Sequence, residues 1–479
     1  MVVELVIFFN LSCLPPPPPP RTLASMTAQL ERFCAALRID TIWPDSALPG
    51  SPEFERAEAA LLGFQALLQS SFPAFHAVTE RTVLGPYGVL YRWPGSSDAA
   101  AADKPVLLLA HYDVVPVEKE KWTVEPFGAQ VKDGYVWCRG SLDTKNTLIG
   151  ALEAAEVLAA QGFRPKRDLW FSFGGDEERS GALGAKRAAA WFAKRGLSFA
   201  WTLDEGSVVA DGLLSGIKKP LGLVGVEEKG ILNIELTVRQ KPGHASMPPR
   251  VQSVAILGRA LDRLSRRHFP FQLTSTVEAF FRNLAPHASG IRALAMANPR
   301  VFSALLFSSA ASSPQTAALL RTSVAMTKLQ GSLADNVMPS EVKAVLNLRL
   351  LPGWTIEKSV DFVRRAIADP RVEVTASTVS AGNNPVLAGA KNTEGRGPGW
   401  AEIKGAIHAS FPEAAVMPFL VTVTTDSRHY ANLCDAVYRF APLKLNSEEL
   451  ARIHGHDERI SIANFTAGIE FYRTLIASL

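Results

Sequence analysis

The stretch PVLLLAHYDVVPV, residues 105–117, decides the fold, because its apolar run turns polar within a few residues. Pro105 to Ala110 reads as a buried strand with His111 and Asp113 at its end. Two later stretches repeat the form. DLWFSF, residues 168–173, runs into Gly174, Gly175, Asp176, Glu177 and Glu178, and FAWTL, residues 199–203, runs into Asp204 and Glu205. Ligands of an open α/β sheet bind beyond the carboxyl ends of its strands, so three such tips can converge on one site. A fourth candidate, Asp143 in GSLDTKN, immediately precedes an amphipathic helical pattern over residues 145–160. The set reads as a metal centre.

Outward from these tips, strand and helix signals alternate. A helical pattern occupies 26–71, a strand or hairpin 83–93, a helix 180–195, and helix, strand and helix 400–410, 413–423 and 461–477. This βαβ organisation predicts a parallel or mixed sheet. After Leu221 the pattern shifts to strands of alternating polarity, a helix over 253–266, further strands, a helix over 356–367 and a last strand. That is an α+β sandwich with one sheet face covered by helices. The expected fold class is therefore α/β, a mixed-sheet catalytic domain (26–224 and 379–479) carrying an inserted α+β domain (225–378). Residues 291–325 form a nearly uncharged helical stretch, read either as packing or as a seat for a greasy chain.

The bulk properties exclude several classes. At 479 residues the chain exceeds one core. A net charge of +4 with no Lys/Arg block argues against a nucleic-acid partner. Cys13, Cys34, Cys138 and Cys434 lack CxxC spacing, which argues against a disulfide scaffold or a thiolate zinc site. Residues 1–25 form a head: fourteen mostly apolar residues, then prolines 15–20, expected to be disordered in extended PPII form. It predicts a secreted or vacuolar protein if residues 1–14 act as a signal, and a cytoplasmic one if translation starts at Met26.

Each polar tip also has a bland reading. An HxD at a strand end is weak by itself, although alternation puts both side chains on one side, so one can ligate while the other orients it. Paired glutamates usually face solvent, Asp143 alone would cap a helix, and Asp204 could close a turn. In combination, four acid-bearing tips and a late histidine are what a two-metal hydrolase needs, one carboxylate bridging the metals.

With AHYDVVPV, SLDTKN, FSFGGDEERSG, LDEGS, GHASMPP, DNVMPS, NLRLLPG, TDSRHYANL, YRFAPL and IHGHDERI in order from about residue 110 to the C-terminus, the chain resembles a family of zinc metallopeptidases and amidohydrolases. These include carboxypeptidase S, N-fatty-acyl-amino-acid hydrolases, aminoacylases and acetylornithine deacetylases, and the GHASMPP and TDSRHY forms are most similar to the first two. The resemblance implies two zinc ions per chain. His111 and Asp204 would hold one, Glu178 and His454 the other, and Asp143 would bridge through a loop with a cis Asp143–Thr144 peptide. Asp113 would orient His111, and Glu177 would be the general base. His244 would help polarise the scissile carbonyl, often from a neighbouring subunit, which admits a homodimer through the inserted domain. Asn336 and Arg349 would hold a substrate with a free carboxylate, an N-acyl amino acid or a small peptide. Thr144 stands where many relatives have a second Asp, and His456 competes with His454, which is favoured by its spacing to Glu458. The other readings are a non-catalytic binding relative and a dipeptidase- or aminopeptidase-type specificity. The intact ligand set and Glu177 weigh against the first, and Arg349 against a free amine.

Overall fold

The computed structural model describes residues 23–44, 50–96, 103–214, 216–377 and 382–479; of the expected head, residues 1–22 lie outside them, while the last three residues, Leu23 to Ser25, belong to helix Leu23–Leu37 and are not disordered. The three apolar runs are neighbours in one mixed sheet. Val106–His111 lies between Leu169–Gly174 and Trp201–Asp204 and is parallel to both. His111 stands in register with Gly174, so the polar tips open at one edge. Gly88–Trp93 continues the sheet antiparallel beyond Leu169–Gly174. On the other flank, Val437–Arg439 follows parallel to Trp201–Asp204 and joins Leu221–Glu228, which also pairs with Ala415–Val421. The central strands are buried along their whole length, as expected where helices cover both faces. Helices Lys145–Ala160 and Ile462–Ala477 supply much of that cover through Leu148, Leu152, Phe465 and Phe471.

A second sheet has the strand order Ser323–Gln330, Glu341–Leu350, Gly230–Arg239 and Glu373–Ala376, all antiparallel. Glu341–Leu350 alternates strictly: Val342, Ala344, Leu346, Leu348 and Leu350 turn inward, and Arg349 stands on the opposite face. Helices Ser253–Arg266 and Ile356–Ile367 close the inner face. The chain crosses between the two sheets at Lys229, after strand Leu221–Glu228. The boundary expected at 224/225 thus falls inside that strand, because both runs are apolar and only the sheet pairing separates them. The return boundary at 378/379 lies outside the described residues.

The uncharged stretch forms helices Gly290–Ala297, Ser303–Ala311 and Pro314–Leu320. With helix Ser275–Leu284 they pack on strand Ala415–Val421 of the large sheet, around Phe280, Phe281, Leu306, Ala310, Leu320, Met417 and Leu420. Among the described residues no helix is long and apolar enough to cross a membrane.

Candidate metal centre

Tyr112 separates His111 from Asp113 and fixes both. Its ring stacks on Phe64 at 5.0 Å and its hydroxyl donates to Pro86 O at 2.6 Å, so the flanking residues must face the other way. A Cβ on Gly175 would lie 2.7 Å from the Tyr112 ring, which is why the acidic turn begins with glycine. Asp113 then ties the two tips together. Its Oδ1 accepts the backbone N–H of Glu177 at 3.1 Å, and its Oδ2 that of Glu178 at 3.0 Å. The His111 ring meets the carbonyl of Asp113 through Nδ1 at 3.0 Å, leaving Nε2 toward the centre.

Asp143 lies between two histidines. Its Oδ1 is 3.0 Å from His111 Nε2 and its Oδ2 2.9 Å from His454 Nε2. The Asp143–Thr144 peptide is cis, as the resemblance implies. The loop is shaped by buried Glu458, whose Oε2 meets Arg139 Nη1 at 2.6 Å while Oε1 accepts Leu142 N–H at 2.6 Å and Asp143 N–H at 3.3 Å. Two groups follow with ligand-ready atoms: His111, Asp143 and Glu205, and Asp143, Glu178 and His454. Glu205 Oε1 is 3.5 Å from His111 Nε2, and Glu178 Oε1 is 3.3 Å from His454 Nε2.

Asp204 belongs to neither group. Its Oδ1 accepts Glu205 N–H at 2.9 Å and its Oδ2 accepts Ser427 N–H at 2.7 Å, so both oxygens are engaged by backbone. The strand ends at Asp204, and the turn that follows brings Glu205 to the centre instead. Where the resemblance implies Asp204 as the ligand, the geometry groups its neighbour Glu205 with His111 and Asp143.

The electrostatics suit cations. Burial works against ionisation of Asp143, but the His111 and His454 contacts override it and hold its carboxyl well below the usual range. Burial would lower His111, yet Asp113, Asp143 and Glu205 push it well above its ordinary value. Asp143 and Glu178 hold His454 up to about 10. Burial, reinforced by the Asp143 charge, pushes Glu205 up to about 8. Burial also raises Glu177 well above its usual range, with Asp426, Glu205 and Glu178 adding to it. So many carboxylates in one buried space repel one another unless positive charge joins them. The buried Glu178 Oε1 has only His454 Nε2 near it, at 3.3 Å and outside hydrogen-bond geometry; an oxygen held this way fits a metal ligand better than a structural acid.

Glu177 Oε1 lies 3.9 Å from Arg428 Nη1, a residue the sequence reading passed over. Burial lowers the pKa of Arg349, and the Arg428 charge adds to that effect, so Arg428 is the guanidinium beside Glu177 and Arg349 stands within electrostatic reach of Arg428. His244 and Asn336 are elsewhere, on an exposed ribbon where Gly243–His244 pairs with Val337–Met338 and Ala245 N–H donates to Asn336 O at 2.9 Å. His244 Nδ1 contacts Ser246 Oγ at 2.7 Å. The structure does not bring either into the centre within this chain.

Known proteins resemble this chain. The chain is 36% identical over 450 residues to the N-fatty-acyl-amino acid synthase/hydrolase PM20D1 of Xenopus tropicalis, covering 93% of this chain and 85% of that relative. It is 33% identical over 429 residues to the probable carboxypeptidase S-like 2 of Dictyostelium discoideum, covering 89% and 81%. The M20 family metallo-carboxypeptidase Sso-CP2 from Sulfolobus solfataricus matches the structure with a TM-score of 0.68 over 94% of this chain and 98% of that one, at 16% identity. Human carnosine dipeptidase 1 matches with 0.65 over 95% and 97%, at 15% identity. At such identities these two structures speak for the fold alone, a catalytic domain with an inserted one. The sequence profile of peptidase family M20/M25/M40 matches residues 107–478, and with that span and those relatives the chain belongs to this family, as a metal-dependent hydrolase.

Proposed function

We propose that the protein is a di-zinc amidohydrolase that cleaves the amide bond of N-acyl amino acids or the C-terminal bond of small peptides. The observation that carries the reading is Asp143, which presents one carboxylate oxygen to the His111 group and the other to the His454 group. His111, Asp143 and Glu205 would hold one zinc, and Asp143, Glu178 and His454 the other. Bound there, the ions would supply Lewis acidity to the scissile carbonyl and to the attacking water.

This chain's own residues supply the rest. Glu177, held by its backbone to Asp113, takes the proton of the water and delivers it to the leaving nitrogen. Arg428 and Arg349 favour a substrate with a free carboxylate on this side of the centre. The names of the relatives, an N-fatty-acyl-amino acid synthase/hydrolase and a carboxypeptidase S-like protein, agree with that substrate class.

His244 and Asn336 would act across a homodimer. The edge strand Ser323–Gln330 exposes Met326 and Leu329, the latter at 70%, and an uncovered apolar edge invites pairing with another copy. The test of the function is elemental analysis after zinc loading, combined with hydrolysis of N-acyl amino acids of graded chain length. Two metals per chain and turnover of that panel are expected. Less than one metal per chain, or a protein that takes zinc and hydrolyses none of the panel, would refute it.

A further inference from the structure

Away from the metal centre, a cavity of about 640 Å³ opens between helix Ser275–Leu284 and the segment around residues 388–394, sharing none of the centre's residues. Glu227 lines it and is only 6% exposed. One of its oxygens accepts Ala388 N–H at 3.3 Å, and the other, Oε2, has no hydrogen-bond partner. Burial raises the pKa of Glu227, and the Thr276 hydroxyl beside it works the other way without closing a hydrogen bond of good geometry. A buried, half-satisfied carboxylate facing a cavity calls for a donor, and a cationic one most of all.

The mouth of the cavity has the opposite character. Arg282 and Arg300 both reach buried Glu278, Arg300 through Nε at 2.8 Å, so two guanidinium groups share one carboxylate and this cluster keeps one surplus positive charge, while Glu394, which also lines the cavity, is paired with Arg396. Their side chains stand mostly in solvent, able to turn toward an anion. An acidic floor below a basic rim matches a zwitterion. We infer that this cavity is a second site for a free amino acid, its ammonium on Glu227 and its carboxylate at Arg282 and Arg300. The choice of an amino acid among zwitterions rests on the proposed hydrolysis, which releases one.

The floor connects to the metal centre. Successive strand residues face opposite sides, so Glu227 faces the cavity while Glu228 turns away from it. Glu228 Oε2 accepts from Arg439 Nε at 2.7 Å and from Thr425 Oγ1 at 3.1 Å. Thr425 Oγ1 meets Ser427 Oγ at 2.6 Å, and Ser427 N–H holds Asp204, the neighbour of Glu205. An amino acid seated on Glu227 therefore bears on the strand whose other face supports the centre, and lowers turnover without competing for it.

The test is calorimetric titration of the zinc-loaded full chain with L-leucine, beside inhibition kinetics on an N-acyl amino acid. The expected result is mixed inhibition, with the fall in kcat abolished by Glu227→Gln and weakened by Arg300→Ala. Both variants should keep their turnover without added leucine and lose affinity at the second site about tenfold or more. Purely competitive inhibition with one leucine bound per chain, unchanged in both variants, overturns the site. Butylamine binding as tightly as leucine overturns the amino-acid assignment. If Glu227→Gln fails to fold, Arg300→Ala, altered only at the surface, decides alone. If no N-acyl amino acid is hydrolysed, the proposed function fails, while the titration still reads the second site.

Discussion

Asp113 Oδ1 accepts the backbone N–H of Glu177 at 3.1 Å and lies 3.4 Å from His111 Nδ1, so one carboxylate both borders the histidine proposed as a ligand and positions the proposed base. Replacing Asp113 by Asn leaves the size unchanged but removes the charge and one acceptor. Loss of such an orienting group typically costs about 10–100-fold in metal affinity or activity. The expectation is a fall of that size in kcat with little change in KM, read by steady-state kinetics at saturating zinc.

With proton transfer and not ligation as its proposed role, Glu177→Gln should keep its zinc and lose about 10²–10⁴-fold in kcat. Glu178→Gln should lose one zinc. Elemental analysis of the two variants side by side checks the assignment, and the reverse pattern would exchange the roles.

The one-residue displacement at the third strand tip makes a sharp comparison. Glu205→Gln should bind less zinc than the parent protein. Asp204→Asn should retain both ions but lower thermal stability, since Asp204 serves Ser427 and the turn rather than the centre. Zinc lost from Asp204→Asn and kept by Glu205→Gln would restore Asp204 as ligand.

Lys229 is buried at the crossing between the sheets, its Nζ donating to Ala318 O and Arg321 O at 2.9 Å each. Burial, with Arg349 and Arg321 adding to it, brings its pKa down to about 7 from an ordinary 10.5. Between these values the unfolded chain holds the proton more tightly, so this group makes stability rise with pH from about 7 to about 10.5. Denaturant melts across that range should show the parent gaining on Lys229→Met as pH rises. Parallel curves would remove the assignment.

The helices over 290–320 bury Leu306 and Ala310 but leave Leu305 at 47% exposure. Each methylene of a chain seated on apolar surface is worth about 0.8 kcal/mol. If the outer face holds the acyl chain, Leu305→Lys should cut kcat/KM for an N-oleoyl amino acid severalfold and leave the N-acetyl substrate unchanged. Equal effects on both would assign the stretch to packing alone.

The strand tips were legible because each joins a strong apolar run to a sudden change of polarity; helix Lys145–Ala160 matches the range read from periodicity. What sequence could not show is which of two adjacent acids a turn will present. Asp204 and Glu205 differ there only through Ser427, 223 positions away. Glu458 was noticed as a spacing marker for His454, but its hold on the Asp143 loop is a contact across more than 300 positions. Arg428 went unremarked because its distance to Glu177 exists only once two remote loops meet.

The centre draws together residues 111, 143, 178, 205 and 454, so the ions would also serve as a clasp between the first half of the chain and a turn that precedes its final strand and helix. An ion that binds only the folded form adds RT ln(1 + [M]/Kd) to its stability, about 2.7 kcal/mol at a hundred times Kd. The lifetime of the folded molecule would thereby follow the concentration of the free metal. A cell short of the metal would lose the protein to unfolding and proteolysis, and not merely its activity.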